Sequence, residues 1–309
     1  MLRYLIRRVI GVIPVLFISW SLIFFVLQLT PGDPVNLMLA GRPASEEVRE
    51  NTRRLLGLDK PVHVRYINFL WKAVRGDLGD SYRTRQPVIT EISAQLRPTL
   101  ELAAGGLVIG LLFGVSLGVL SGIRPNSWWD TGAMVFALAG ISMPSFWSAM
   151  LLIFFFGLKL GWFPIVGEGL PALVMPAFTT GFFLVGNLAR LIRSSILEVM
   201  TEDYIRTGRA KGLGHWKVVF KHALRNAMIP PVTLLGVQFA LLIGGAVITE
   251  TVFARPGLGR LLVTSVLNKD FPMVQALVVY TTSAYIMLNL IVDVLYSVID
   301  PRIRDARSV

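Results

Sequence analysis

Few side chains in this 309-residue sequence are suited to bond-making chemistry, and they are scattered. The imidazoles are His63, His215 and His222, and no carboxylate stands at metal-ligand spacing from any of them. Cysteine is absent, which excludes disulfides, iron–sulfur clusters and thiolate chemistry. No nucleophile is followed by a base and an orienting group, and no G-x-x-x-x-G-K-[ST] phosphate loop occurs. The chain is therefore expected to be no enzyme and to bind no metal or cofactor itself. What remains is polar rather than catalytic. Glu101, Glu250 and Asp293 stand at the ends of apolar runs, and Asn187 and Gln238 stand inside them. Six cations, Arg206, Arg209, Lys211, Lys217, Lys221 and Arg225, gather in Tyr204–Pro230, "YIRTGRAKGLGHWKVVFKHALRNAMIP".

The elements that must position these groups are membrane helices. The chain is 54% hydrophobic and 16% charged, against roughly 25% charged in soluble domains. Its charge-free runs are Val9–Gly32, Leu102–Ile123, Thr131–Leu158, Gly169–Ala189, Asn226–Thr249 and Phe271–Val292, each at least 21 residues long. About 20 apolar residues cross the hydrocarbon core as a helix, and an open sheet edge is not tolerated there. The predicted fold is all-α with six transmembrane helices, at residues 9–29, 100–123, 131–157, 170–189, 229–250 and 273–297. The first run follows a basic start, "MLRYLIRR", as a signal peptide would. Its apolar core exceeds the 7–15 residues of such a segment and no small-residue cleavage site follows, so it is read as a retained anchor.

Basic residues set the orientation. Arg3, Arg7, Arg8, Arg124, the eight from Arg190 to Arg225, and Arg302, Arg304 and Arg307 fall on one side. Lys159, Arg255, Arg260 and Lys269 occupy the short loops of the other. Fifteen against four places both termini (1–8 and 298–309) and the 190–228 loop in the cytoplasm, and the 251–272 loop outside. The net charge of +11 thus needs no nucleic acid to explain it. Asp293, a turn or two from Arg302 and Arg304, suits structural pairing better than a proton relay, and the same reading is extended to Glu101 and Glu250. Asn187 and Gln238 either find partners in the bundle or line a translocation path.

Residues 30–99 form the external segment. Ser45 can cap "SEEVRENTRRLLG", with acids in its first turn, arginines in its last and Gly57 as a stop. Asp59 and Pro61 open a second helix with Val64, Ile67, Trp71 and Val74 at helical spacing, and "PVITEISAQL" offers a third. A small helical cap on the bundle and a docking surface for an external partner both fit. In the second span Gly106, Gly110, Gly114, Gly118 and Gly122 recur every fourth residue, which puts a groove on one face for close helix packing. A role in the substrate path is the second reading of that face.

The basic stretch reads as helix–glycine–helix. Gly212 and Gly214 permit a reversal, after which Trp216, Val219, Phe220, Ala223 and Leu224 form one apolar stripe. Lys217, Lys221 and Arg225 lie on another face. Such a helix lies on anionic lipid or inserts its apolar face into a groove on a cytoplasmic protein. Nothing supports a nucleic-acid platform.

At this stretch the chain resembles the permease subunits of bacterial ATP-binding-cassette importers, in the dipeptide/oligopeptide/nickel branch that includes glutathione permeases. That branch shows Y-x-R-T-A-R-A-K-G and then K-H-x-L-R-N-A. Here Gly208 replaces the alanine, and the wider E-A-A signature is poorly kept. "LTPGDP", "GLDKP", "RGDLGDSY", "RPTLEL", "ISMPSFW", "ETVFARPGLGRLL" and "VDVLYSVIDPRIR" follow the branch in order over nearly the whole chain.

The resemblance implies a six-helix importer-permease fold in the bacterial inner membrane, working with a second permease and an external substrate-binding protein. It also implies two ATPase subunits that bind ATP and Mg. The loop would hold a coupling helix docking on an ATPase through Tyr204, Arg206, Thr207, Arg209, Ala210, Lys211, Gly212, Trp216, Phe220, His222 and Arg225. Peptide is the substrate expected, with glutathione and nickel as alternatives. A proton-coupled secondary transporter would need intramembrane carboxylates and inverted repeats, and neither is evident.

Overall fold

The computed structural model describes residues 2–29, 35 and 45–299. The last cytoplasmic segment, with Arg302, Arg304 and Arg307, lies outside the described residues, as do most of 30–44 and the side chain of Asp293. Among the described residues no strand forms, and one isolated antiparallel bridge joins Asp80 to Pro87. The chain divides into two compact units, Met1–Arg97 with Gly257–Val294, and Pro98–Pro256 with Leu295–Val309.

In the first unit α1 is Leu2–Leu29, α2 Glu46–Leu55 and α3 Val62–Val74. Ser45 caps α2 by accepting from the Val48 N–H at 3.3 Å, and Gly57 ends it at φ 66°. Along α3 the residues that pack are Tyr66 and Phe69, not the expected stripe. Their rings meet Phe24 of α1 at centroid distances of 5.3 and 5.5 Å, and the Tyr66 and Ser21 hydroxyls lie 2.6 Å apart. Ile67, Trp71 and Val74 are exposed, with the Arg75 guanidinium 4.2 Å from the centre of the Trp71 ring. "PVITEISAQL" is not a separate helix but the start of α4, Val88–Ile123, which continues through Pro98 into the second unit. Its Val88 and Ile92 are buried with Leu258 of α12 (Leu258–Leu267) and with Met273 and Leu277 of α13 (Phe271–Ile299). Asp270, buried before α13, accepts from the Ser81 hydroxyl and from the Tyr82 N–H at 3.0 Å, which fixes the turn of "RGDLGDSY".

In the second unit the span expected at 131–157 is two helices. These are α5 (Trp128–Ser142) and α6 (Ser145–Leu152, continued by a π-helical turn over Ile153–Lys159), bent by 113°. The bend lies in "ISMPSFW". Met143 is extended at φ −82° and ψ 125°, because the ring of Pro144 disfavours the helical conformation in the residue before it. The central helix is α7, Leu170–Val199, buried along much of its length. It is followed by α8 (Asp203–Ala210), α9 (His215–Lys217), a π-helical turn (Val218–Ala223), α10 (Leu224–Ala227) and α11 (Ile229–Val252).

Glycines set how closely α7 is approached. A Cβ at Gly106 would lie 3.2 Å from Thr180, and at Gly114 2.8 Å from the Leu188 Cβ. At Gly118 and Gly122 it would lie 2.8 and 2.9 Å from the Cβ atoms of Ile192 and Ile196, and at Gly110 it would overlap Leu184. The partners advance along α7 in step with the glycines along α4, so these helices run parallel. The α5 face shows the opposite sense, since Gly140 abuts the Phe182 carbonyl and Gly186 abuts the Ala137 carbonyl. That makes α5 antiparallel to α7.

Beyond the bend, Ala149 and Ile153 reach Met175 near the start of α7, while Asp130 at the start of α5 meets Arg193 near its end. From Arg193 to Met175 α7 rises about 27 Å, close to the hydrocarbon thickness. The bent pair thus contacts α7 from Arg193 to Met175. Helix α11 packs on α7 as well: Leu242, with Ala227 of α10, joins the cluster of Leu184, Leu188, Ile192 and Ile196, and the Thr249 hydroxyl meets that of Thr180. By length and composition, among the described residues, α1, α4, α7 and α13 are fit to cross a membrane, and the bent pair passes the same test together, as a broken span or a re-entrant loop.

Candidate functional site

The basic loop folds back on the end of α7. Ile205 of α8, Val218 and Ala223 are buried together, with Val199, Met200 and Leu213 against them. Gly212 turns the chain at φ 77°, a left-handed conformation that glycine adopts without steric cost. Gly214 does not share that task. It sits at φ −60° and ψ 148° as the residue before α9, a conformation open to any residue. A Cβ at Gly208 would make an ordinary 3.5 Å contact with Leu213, so either glycine or alanine fits there. Tyr204 and Asn226 join the two arms, with the amide donating to the phenol oxygen at 2.8 Å.

The expected apolar stripe is divided. The π-helical turn, with its i→i+5 bonds, changes the register, so Val218, Val219 and Ala223 turn inward while Trp216 and Phe220 point out. The two exposed rings stack, with centroids 5.8 Å apart and planes inclined by 21°. Around them Arg206, Thr207, Arg209, Ala210, Lys211, Lys217, Lys221 and Arg225 are exposed, and His222 is half-buried. Arg206 meets Asp203 at 3.6 Å, an exposed pair worth well under about 1 kcal/mol. The outcome is a cationic surface centred on an aromatic pair, on a base fixed by its own small core.

That base is tied to the bundle by a pair the sequence does not advertise. Arg193 of α7 donates from Nε and Nη2 to the two carboxylate oxygens of Asp130 at 2.7 and 2.8 Å. Asp130 also accepts from the Ser121 hydroxyl of α4 and from the Asn126 N–H at 2.9 Å. One buried carboxylate thus joins the end of α4, the following turn, the start of α5 and the end of α7.

A second polar set lies where α7 begins and α11 ends. Buried Glu250 accepts from the Thr99 hydroxyl at 2.6 Å, and the Thr180 hydroxyl lies 3.2 Å from that of Thr249. Arg255, also buried, donates to Glu101 at 3.1 Å. Glu250 of α11 is thus paired with α4, and Glu101 of α4 with the segment that follows α11. Asn187 donates to the Phe183 carbonyl of its own helix at 3.1 Å, and Gln238 is buried in α11. Among the described residues no hydrogen bond joins these two carboxamides.

Sequence reasoning found the basic loop and the glycine face but not Asp130, Asp270 or the inward turn of Val218. Asp130 carries one usable signal, since Ser127 three residues earlier forms an N-cap that accepts from its N–H at 3.2 Å. The partner in α7 is long-range and leaves no local mark.

Comparison with known proteins agrees with these features. Residues 114–305 match the family "binding-protein-dependent transport system inner membrane component", and residues 1–103 match the N-terminal part of such membrane components. The glutathione transport system permease protein GsiC of Escherichia coli K12 is 44% identical over 305 residues, covering 98% of this chain and 99% of that protein. The GsiC protein of Salmonella choleraesuis gives the same identity and coverage. The inward-facing MetNI methionine ABC transporter superimposes with a TM-score of 0.57 at 18% identity, over 70% of this chain and 99% of that one, which shows the fold. The chain belongs to the inner-membrane components of binding-protein-dependent transport systems, as a multi-pass permease subunit of an ATP-binding-cassette importer in the peptide/nickel branch.

Proposed function

We propose that this permease carries a short peptide of glutathione size, paired in the membrane with a second, homologous permease. The observation that carries the substrate reading is the full-length 44% identity to glutathione permeases. Two ATPase subunits that bind ATP and Mg on the cytoplasmic side would drive it, and an external binding protein would deliver the substrate. Six crossings with both termini in the cytoplasm are part of this reading, supported by the four membrane-length helices, the bent pair, the apolar α11 and the fifteen-to-four basic asymmetry.

Coupling is assigned to the exposed face of the 204–225 loop. Its stacked Trp216 and Phe220 rings suit a groove on the ATPase, and Arg206, Arg209, Lys211 and Arg225 surround them with charge. A helix resting on lipid needs its whole apolar stripe outward, whereas Val218 and Ala223 are spent on the loop's own core and Val219 is buried too. Two projecting rings on a rigid base favour docking into a shaped cavity. Uptake of labelled glutathione, dipeptides and nickel by cells with and without the assembled transporter tests the substrate. Peptide or glutathione uptake that depends on this chain is expected. Nickel uptake alone would contradict the proposal.

A further inference from the structure

The first unit holds a cavity of about 600 Å³ that none of the functions above uses. Its volume lies within the range of small-molecule sites, about 300–1,000 Å³. One wall is apolar and belongs to α1 and α3, with Phe24, Leu27 and Phe69. Cations line the rest, with Arg53, Arg54 and Lys60 beside Arg65 and Lys72 of α3, against one acid, Asp77.

Several of these charges have partners. Arg54 meets Glu50 at 3.4 Å, and Lys72 meets Asp77 at 3.4 Å. Arg65 differs. It is half-buried, and among the described residues no carboxylate pairs with it. Also on the lining, the amide nitrogen of Gln275 of α13 is buried with no hydrogen-bond acceptor among the described residues. Buried donors are normally satisfied, and a half-buried guanidinium is suited to paired hydrogen bonds with a phosphate. Tyr82 adds a third donor. Burial pushes its phenol above the ordinary value, partly opposed by the nearby Arg65 charge and supported by Asp270, so it stays protonated.

The missing group is therefore an anion with several acceptor oxygens, and the apolar wall says what carries it. Phe24 and Leu27 lie near the end of α1, a membrane-length helix whose apolar residues are mostly exposed. We propose that the cavity binds the phosphate headgroup of an anionic membrane phospholipid. The phosphate accepts from Arg65 and the Gln275 amide, and the acyl chains leave along Phe24 and Leu27 into the bilayer. A free soluble anion would gain nothing from that wall.

Native mass spectrometry of the delipidated full chain in detergent tests this, with added phosphatidylglycerol, phosphatidylcholine or inorganic phosphate. One phosphatidylglycerol per chain should be retained in preference to phosphatidylcholine, and millimolar inorganic phosphate should not displace it. Arg65→Gln should weaken retention at least tenfold, and the volume-conserving Gln275→Leu several-fold. Lys60→Gln, at an exposed lining position that carries little folding risk, should weaken it about twofold. Equal retention of both lipids with no effect of any variant would mean a bulk lipid shell and would overturn the site. Displacement by inorganic phosphate would mean a soluble-anion site and would overturn the lipid assignment.

Discussion

Arg193 grips Asp130 with two parallel hydrogen bonds, 2.7 and 2.8 Å long, and so holds the end of α7 to the start of α5. The Asp130 side chain is 6% exposed and that of Arg193 28%. Breaking a buried pair by removing one partner costs about 3–5 kcal/mol, and the partial exposure of the arginine puts this case at about 2–3 kcal/mol. Asp130→Asn should lower the thermal midpoint of the detergent-purified protein and reduce its level in the membrane. Arg193→Lys, which keeps the charge but loses the fork, should do so less. Unchanged melting of Asp130→Asn would remove the pair from the account.

The glycine face gives a paired test. Gly114→Leu must force α4 away from Leu188, whose Cβ lies 2.8 Å from where the new Cβ would be. Overpacking of this kind costs about 1–3 kcal/mol, and assembly should fall with it. Gly132, on α5, has nothing within 4 Å of a Cβ. Gly132→Ala should therefore be neutral or stabilise by up to about 1 kcal/mol through helix propensity. Expression level and thermal midpoint of the two variants, measured side by side, check both statements.

Much of this fold was legible because lipid imposes coarse rules. Long charge-free runs could only be helices, and glycines at steps of four could only make a groove. What stayed hidden depends on partners distant in sequence or on a local change of register. The break at Met143–Pro144 was written in the sequence, but a run uninterrupted by charge conceals whether its helix is straight. Ile67, Trp71 and Val74 give α3 its helical spacing, yet all three are exposed. Spacing does not say which side meets protein when both sides are apolar, and Tyr66 and Phe69 take that contact. In the basic loop, one π-helical turn was enough to divide a stripe that a regular helix would have kept whole.

Gly212 is the pivot of that loop. A Cβ there meets nothing within 4 Å, so the cost at that atom comes from the φ of 77°, about 1–2 kcal/mol for an L-residue. Gly212→Leu should leave the protein in the membrane while shifting the loop, with loss of ATPase copurification. Gly212→Asn, which tolerates the left-handed region better, should retain most of it. Equal copurification of wild type and both variants would show that the angle between the arms is unimportant.

The central claim is that ATP hydrolysis on partner subunits drives transport through this chain by way of the Trp216–Phe220 surface. It is tested most directly by accumulation of labelled glutathione or dipeptide in proteoliposomes holding the purified complex, with the binding protein added. Uptake should require ATP and the binding protein. Phe220→Asp should abolish it together with ATPase copurification, while Lys217→Gln, an exposed charge worth under about 1 kcal/mol, should leave both nearly intact. Uptake driven by a proton gradient without ATP, or full ATP-driven uptake by Phe220→Asp, would contradict the account.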